Sequence, residues 1–236
     1  MIVKKVLSNK INKFPKIILD TLAKSPIGER GGLLDLRYHQ IITPWNWKDQ
    51  SVLDLGAHNG RWSAAVIDQG ARQVDCVDVR DELWKKTEQI KPNWMSKVKF
   101  HQADCAEWIR SNTGNWDTIL CLGLLYHVSD PIKLLLDMVY QKPKKIIIDT
   151  YVTDGDEPKL IPYIESNLLG QGIVNTLSKQ AIVCIPNLKA IEWLFEQVGW
   201  QLTEWKTPGI ENRKDCKLYN TNQRITLSAE LKTKNS

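Results

Sequence analysis

Between residues 51 and 151, short continuous runs of apolar side chains alternate with segments whose apolar positions recur every three or four residues. These are the signatures of buried strands and of amphipathic helices. Val52-Leu53-Asp54-Leu55 is a compact run stopped by Gly56, and Arg61 to Gln69 follows helical spacing and closes at Gly70. The unit repeats as Val74–Val79 with Glu82–Ile90, and as Val98–Ala103 with Ala106–Arg110. It repeats again as Trp116–Leu122 with a helix running to about Tyr140. Ser129-Asp130-Pro131 opens that helix with a capping residue and a proline in the first turn. Lys145–Tyr151 is the fifth strand. Strands separated by helices of this length predict an α/β fold with a parallel, doubly wound sheet.

On either side the pattern changes. Val3, Leu7, Ile11, Phe14, Ile18 and Leu22 fall in steps of three or four, which predicts a helical arm over residues 2–24 divided by Pro15. Residues 25–50 read as a loop or short helical connection ending in Pro44-Trp45-Asn46-Trp47. After Tyr151 the alternation lapses, and a loop as long as 152–186 is expected to serve as a lid or substrate wall. Asn187 then caps a helix over Leu188–Val198, whose stripe is Ile191, Leu194, Phe195 and Val198 and whose end is Gly199. Trp200–Lys206 and Arg224–Leu231 predict two strands paired as an antiparallel, hairpin-like edge. The expected division is an N-terminal arm, 1–50, and a single α/β domain, 51–236.

Charge locates the appendage. Lys and Arg exceed Asp and Glu by 32 − 27 = 5, and residues 1–30 carry seven bases against two acids, so the rest of the chain is neutral. A neutral body argues against a face built for nucleic acid, so DNA is not an expected partner, while the basic arm leaves RNA or membrane contact as alternatives to simple packing. Five cysteines, an odd number without C-x-x-C, fit reduced thiols in the cytoplasm better than a disulfide framework or a zinc site, and no metal is expected. No apolar run reaches the ~20 residues of a membrane span, nor does the N-terminus hold the apolar core of a signal peptide.

Ligands of open α/β sheets bind outside the carboxyl ends of the strands, so the residues closing each strand carry the chemistry. Gly56 and Gly60 bracket the first turn and permit close backbone approach. Asp78 closes the next strand 22 residues after Gly56, the spacing of an acid that accepts ribose hydroxyls. Asp104, followed by Cys105, closes the third, where an acid can accept from an adenine amino group. A dinucleotide motif wants glycine where this chain has His58 and Arg61, which counts against NAD.

VLDLGAHNG (52–60), CVDVR around Asp78, QADCAEW around Asp104 and NWDTILCLGLLYHVSDP (115–131) together resemble the class I S-adenosylmethionine-dependent methyltransferases. The resemblance implies a Rossmann-like sheet of seven strands, mostly parallel, with the last strand antiparallel and inserted between the fifth and sixth. It implies S-adenosyl-L-methionine as cofactor, held around Gly56, His58, Gly60, Asp78, Asp104, Cys105 and Cys121. His58 stands at the usual middle glycine, where it shapes the cofactor pocket or fills space. Cys121 contributes a strand end rather than a nucleophile, because no base is paired with it.

A narrower likeness runs through GLLYHVSDP, Asp154-Gly155-Asp156-Glu157 and IPNLKAIEWLFEQVGW to the tRNA wobble-uridine carboxymethyltransferases and related small-molecule methyltransferases. In the tRNA family a tyrosine and an arginine hold the extra carboxylate of carboxy-S-adenosyl-L-methionine, and Tyr126 and Arg224 match them. That family's lysine upstream of the first motif is not placed in this sequence, and the N-terminal extension looks shorter than that family's. Methyl transfer to a small molecule is therefore the expected activity. Carboxymethyl or methyl transfer to a tRNA uridine is the alternative, and a non-catalytic adenosyl-ligand-binding module a second. Tyr126 and His127 are the catalytic candidates, with His127 as a general base or a residue that merely lines the pocket. His39 and His101 read as structural.

Overall fold

A computed structural model describes residues 3–6, 31–90, 93–166, 180–206 and 217–232 of the chain. Ten strands occur among them: β1 (Val3–Val6), β2 (Ser51–Leu55), β3 (Gln73–Asp78), β4 (Val98–Gln102), β5 (Thr118–Leu122), β6 (Lys145–Tyr151), β7 (Leu160–Ser166), β8 (Gln180–Pro186), β9 (Trp200–Lys206) and β10 (Arg224–Leu231). The helices are α1 (Gly31–Ile41), α2 (Arg61–Asp68), α3 (Asp81–Ile90), α4 (Cys105–Ser111), α5 (Pro131–Tyr140), α6 (Leu188–Gln197) and the single turn α7 (Lys217–Asn220).

Eight strands form one sheet in the order β1-β9-β10-β6-β5-β2-β3-β4. Strands β4, β3, β2, β5 and β6 run parallel, and β10 is antiparallel to both β6 and β9. With β1 set aside, this is the expected seven-stranded sheet, its last strand inserted between the fifth and sixth. The interior position of β2 and β5 explains their sequences. Every residue of both is buried, because helices cover both faces of a parallel sheet. Val52 packs with Trp62, Val66 and Trp84 on one face, while Leu53 and Leu55 pack with Ile109, Leu134 and Phe195 on the other.

The helix starts follow capping chemistry. Asp104, Asp130 and Asn187 each accept a backbone N–H three residues on, from Glu107, Lys133 and Ala190, all at 2.9 Å. Helix α1 belongs to the same core as β2: Tyr38, Ile41, Ile42 and Trp47 are buried with Val52, and the Trp47 indole donates to the Ile42 carbonyl at 2.7 Å.

Two expectations are corrected. Residues 3–6 are a strand, not helix, pairing parallel with β9 from Val3↔Thr203 to Val6↔Lys206. The open edge of β9 offers a ladder of unpaired backbone groups, and satisfying it outweighs a weak helical period over four residues. The remainder of the proposed arm, 7–30, lies outside the described residues. The segment 152–186 is not all loop either: β7 and β8 form a separate antiparallel ribbon in register from Leu160↔Pro186 to Ser166↔Gln180. A two-stranded ribbon lacks a fully buried face, so it shows no clean alternation, and Ile164 and Ile182 stand opposite one another exposed. Among the described residues no helix is long and apolar enough to cross a membrane.

Candidate functional site

The carboxyl ends of β2, β3, β4 and β5 converge on one edge of the sheet, and the turn after β2 is the tightest part of it. Gly56, His58 and Gly60 all lie in the left-handed region, at φ of 73°, 56° and 77°. A Cβ on Gly60 would stand 2.9 Å from Trp84 Cζ3, so glycine is required there by the packing of the chain's own indoles as well as by φ. Gly60→Ala should therefore lose about 1–2 kcal/mol in urea denaturation, and an unchanged midpoint would contradict this packing. Gly56 is fixed from the neighbouring strand: its N–H donates to the Val77 carbonyl at 2.9 Å.

His58 donates its backbone N–H to Asp78 Oδ2 at 2.8 Å, tying the turn to the end of β3. Burial, with Arg61 and Arg80 nearby, pushes its imidazole down to about 4, so the ring is neutral at pH 7. The ring Nδ1, Asp54 Oδ1 and Asn59 Oδ1 are buried without hydrogen-bond partners. Asp54, the acid of the first motif, is fully buried, accepts from Ser63 Oγ at 2.6 Å, and is pushed up to about 6 by burial. Orphaned buried polar atoms are costly unless a ligand or water completes them. This donor and acceptor set fits the polar, cationic end of S-adenosylmethionine.

Asp78 is buried, and its carboxylate is fully engaged. Oδ1 accepts from Arg80 N and Nε, both at 2.9 Å, and Oδ2 from Arg80 Nη2 at 3.0 Å and His58 N. Burial would raise its pKa, but the Arg80 fork outweighs burial and holds the carboxyl below its ordinary value. A ribose diol would have to replace Arg80 on this carboxylate. Asp104 does not close β4, which ends at Gln102; its Oδ1 caps α4 instead. Cys105 Sγ donates to the Val77 carbonyl at 3.5 Å, and burial raises its thiol pKa well above normal. Cys121 is also buried in β5, its thiol pushed up to about 12 by burial. Both are neutral thiols, Cys105 opening α4 and Cys121 within β5, with no nucleophilic character.

Beyond β5 a 3-10 turn, Leu125–His127, carries the catalytic candidates. The Tyr126 ring is buried, 4.3 Å from that of Tyr151, and Arg224 Nη1 reaches Tyr126 Oη at 3.5 Å. Gly123 lets these groups approach the backbone, since a Cβ there would lie 3.3 Å from Arg224 Nη2 and 3.6 Å from Tyr126 Oη. Arg224 is held from behind by Asp149 in β6, whose Oδ1 accepts from Arg224 Nε at 2.8 Å and from Arg37 Nη2 at 3.1 Å. Asp149 Oδ2 accepts from Tyr219 Oη at 2.7 Å and Thr226 Oγ1 at 2.8 Å. His127 Nδ1 lies 2.7 and 2.9 Å from the two oxygens of Glu165 on β7. The ribbon carrying Glu165 is docked by the Cys184 N–H, which donates to the Val128 carbonyl at 2.9 Å.

The structure thus gathers Gly56, His58, Gly60, Asp78, Asp104, Cys105 and Cys121 along one edge, and brings Tyr126 to Arg224. His39 and His101 are tied instead to Thr43 (3.2 Å) and Asp75 (2.9 Å). The sequence reading missed Arg37, Arg80, Asp149, Glu165 and Tyr219. Asp149 carried a signal, a lone acid inside the buried run Ile146-Ile147-Ile148, because an unpaired charge is not buried there. Glu165 carried none.

Residues 25–204 match the family described as a methyltransferase domain, well over half of the chain, and the protein belongs to that family. Its sheet order is that of the class I S-adenosylmethionine-dependent methyltransferases. Among curated relatives, the tRNA U34 carboxymethyltransferase of Campylobacter fetus subsp. fetus is 30% identical over 198 residues, covering 77% of this chain and 66% of that protein. The enzyme of the same name from Sulfurimonas denitrificans is 26% identical over 125 residues, 52% of this chain and 42% of that one. The chain therefore spans less than two thirds of the length of these relatives. Among solved structures, the 1,6-didemethyltoxoflavin-N1-methyltransferase of Burkholderia thailandensis superposes with a TM-score of 0.54 at 18% identity, covering 86% and 78% of the two chains. A methyltransferase-fold protein of Listeria monocytogenes reaches 0.60 at 13% identity, covering 84% and 98%.

Proposed function

We propose that this protein is an S-adenosyl-L-methionine-dependent methyltransferase whose acceptor is a small molecule. The observation that carries the reading is the convergence on one sheet edge of the left-handed Gly56–Gly60 turn, Asp78 and Asp104, with Tyr126 and His127 beside it. In this reading the β2 turn with Asp54 and His58 receives the amino-acid end of the cofactor, Asp78 the ribose and Asp104 the adenine. The cofactor supplies a methyl group on a sulfonium, and the chain supplies in-line positioning and a dry site. A neutral His58 suits this role, because an imidazolium would repel that cation. The neutrality of residues 31–236 supports a small acceptor over tRNA, which recruits several Lys and Arg around a site. The cytoplasm is the proposed location.

A second reading, transfer to a tRNA uridine from carboxy-S-adenosyl-L-methionine, is favoured by one observation. Tyr126 and Arg224 meet beside Gly123, and Arg37, a cation upstream of the first motif, shares Asp149 with Arg224. The two readings part in a transfer assay. With methyl-labelled cofactor, label should appear in the small-molecule fraction of a bacterial extract. Label moving only from the carboxylated cofactor into tRNA would install the second reading. Cofactor binding with no transfer to any fraction would leave a non-catalytic binding module.

A further inference from the structure

His127 and Glu165 come from parts of the chain 38 residues apart, and their 2.7 Å contact ties the ribbon β7–β8 to the candidate site. Glu165 is buried, at 6% exposure, whereas the His127 side chain is 24% exposed. A carboxylate only accepts hydrogen bonds, so the neutral imidazole facing it must carry its proton on Nδ1. Nε2 then presents a lone pair and has no hydrogen-bond partner among the described residues. Tyr163, also on β7, lies with its hydroxyl 3.4 Å from Glu165 Oε1 and 3.3 Å from the Tyr126 carbonyl, bracing the carboxylate against the turn that carries His127. A buried carboxylate fixing one ring nitrogen, with the other left reachable, is the arrangement by which a histidine is oriented as a base.

We propose that Glu165 is a positioning residue that fixes His127 with Nε2 toward the methyl acceptor, and that the acceptor is a hydroxyl whose proton leaves to Nε2 during transfer. The proposal rests on the methyltransferase reading above and specifies its acceptor chemistry. The new oxygen–carbon bond forms as the sulfur–methyl bond breaks with its electron pair left on sulfur, and the hydroxyl proton ends on His127 Nε2. One positive charge thus passes from sulfonium to imidazolium, where the Glu165 carboxylate stabilises it. An acceptor already ionised, such as a carboxylate, would need no such base.

The groups facing His127 set its pH behaviour. Burial lowers its pKa, Glu165 opposes that, and Arg80 from the turn after β3 and Arg224 from β10 lower it further, with the Tyr126 ring adjoining and Tyr163 reaching Glu165. The ring is therefore neutral and able to accept a proton at pH 7. Removing the Glu165 charge lowers its pKa again, so the rising acid limb of the transfer rate moves to lower pH.

Imidazole nitrogen-15 NMR of the full chain with S-adenosylhomocysteine tests the geometry without an acceptor. In the wild type the proton should sit on Nδ1 of His127, and in Glu165→Gln that preference should be lost. An Nε2–H tautomer in the wild type overturns the proposal. In single-turnover transfer from methyl-labelled S-adenosylmethionine to the small-molecule fraction, Glu165→Gln should lose about tenfold or more at the plateau. Its acid limb should move to lower pH, while affinity for S-adenosylhomocysteine stays within about twofold. A purely structural clasp, which glutamine can replace, predicts wild-type rate and limb, and that result overturns the proposal. Label recovered as a base-stable ether supports the hydroxyl acceptor; label on nitrogen or in a base-labile ester overturns it. Failure of the wild type to transfer label to any fraction would count against the methyltransferase reading itself, with the tautomer still deciding the role of Glu165.

Discussion

Asp149→Ala should lose about 3–5 kcal/mol of stability, the loss expected when one member of a buried ion pair is removed. The carboxylate is fully buried and accepts from two guanidiniums, Arg37 and Arg224, and from the Tyr219 and Thr226 hydroxyls. Its removal takes from both arginines their shared carboxylate and leaves two hydroxyl donors unmade. Because α1, β6, α7 and β10 all contribute, the loss should spread across that half of the sheet. Urea denaturation measures it, and a change below about 1 kcal/mol would mean the cluster is not the clamp described. The pH dependence has a definite sign. Burial alone would raise the Asp149 pKa, but Arg224 and Arg37 outweigh burial and hold it below its unfolded value of 3.8. A depressed carboxylate contributes stability that is present above the unfolded value and lost as pH falls through the folded one, so this contribution disappears only in strong acid.

The second large effect is a pair of opposite sign at the end of β3. Asp78→Asn should weaken S-adenosylhomocysteine binding by roughly ten- to a hundredfold, since hydrogen bonds to a charged acceptor contribute about 1.5–3 kcal/mol. Arg80→Ala should instead tighten it, because all the acceptor positions of Asp78 are occupied, three of them by Arg80. Isothermal titration decides both. If Arg80→Ala weakens binding, Arg80 itself holds the ligand and the competition is absent.

The expectations that held concern the covered part of the parallel sheet. Strands β2 and β5 are buried on both faces, so their apolar runs were legible, and Asp104, Asp130 and Asn187 marked helix starts by side-chain chemistry that acts within three residues. Asp78 closes β3 as its spacing predicts, whereas Asp104 lies two residues past the end of β4, because its side chain caps the following helix. What was hidden depends on pairing across long separations. Val3–Val6 is a strand only because β9, some two hundred residues later, offers an edge. The ribbon β7–β8 lacks a fully buried face, which leaves no clean alternation to find. Glu165 meets His127 only through that ribbon, and Arg37 meets Asp149 only through the packing of α1, so no local pattern announces either.

Isothermal titration of the full chain with S-adenosylmethionine and with NAD tests the central claim most directly. The geometry of the Gly56–Gly60 turn, Asp78 and the neutral His58 predicts saturable binding of S-adenosylmethionine, with a ligand-induced rise in melting temperature and no heat from NAD. No binding of S-adenosylmethionine at millimolar concentration, or saturation by NAD in its place, would contradict it.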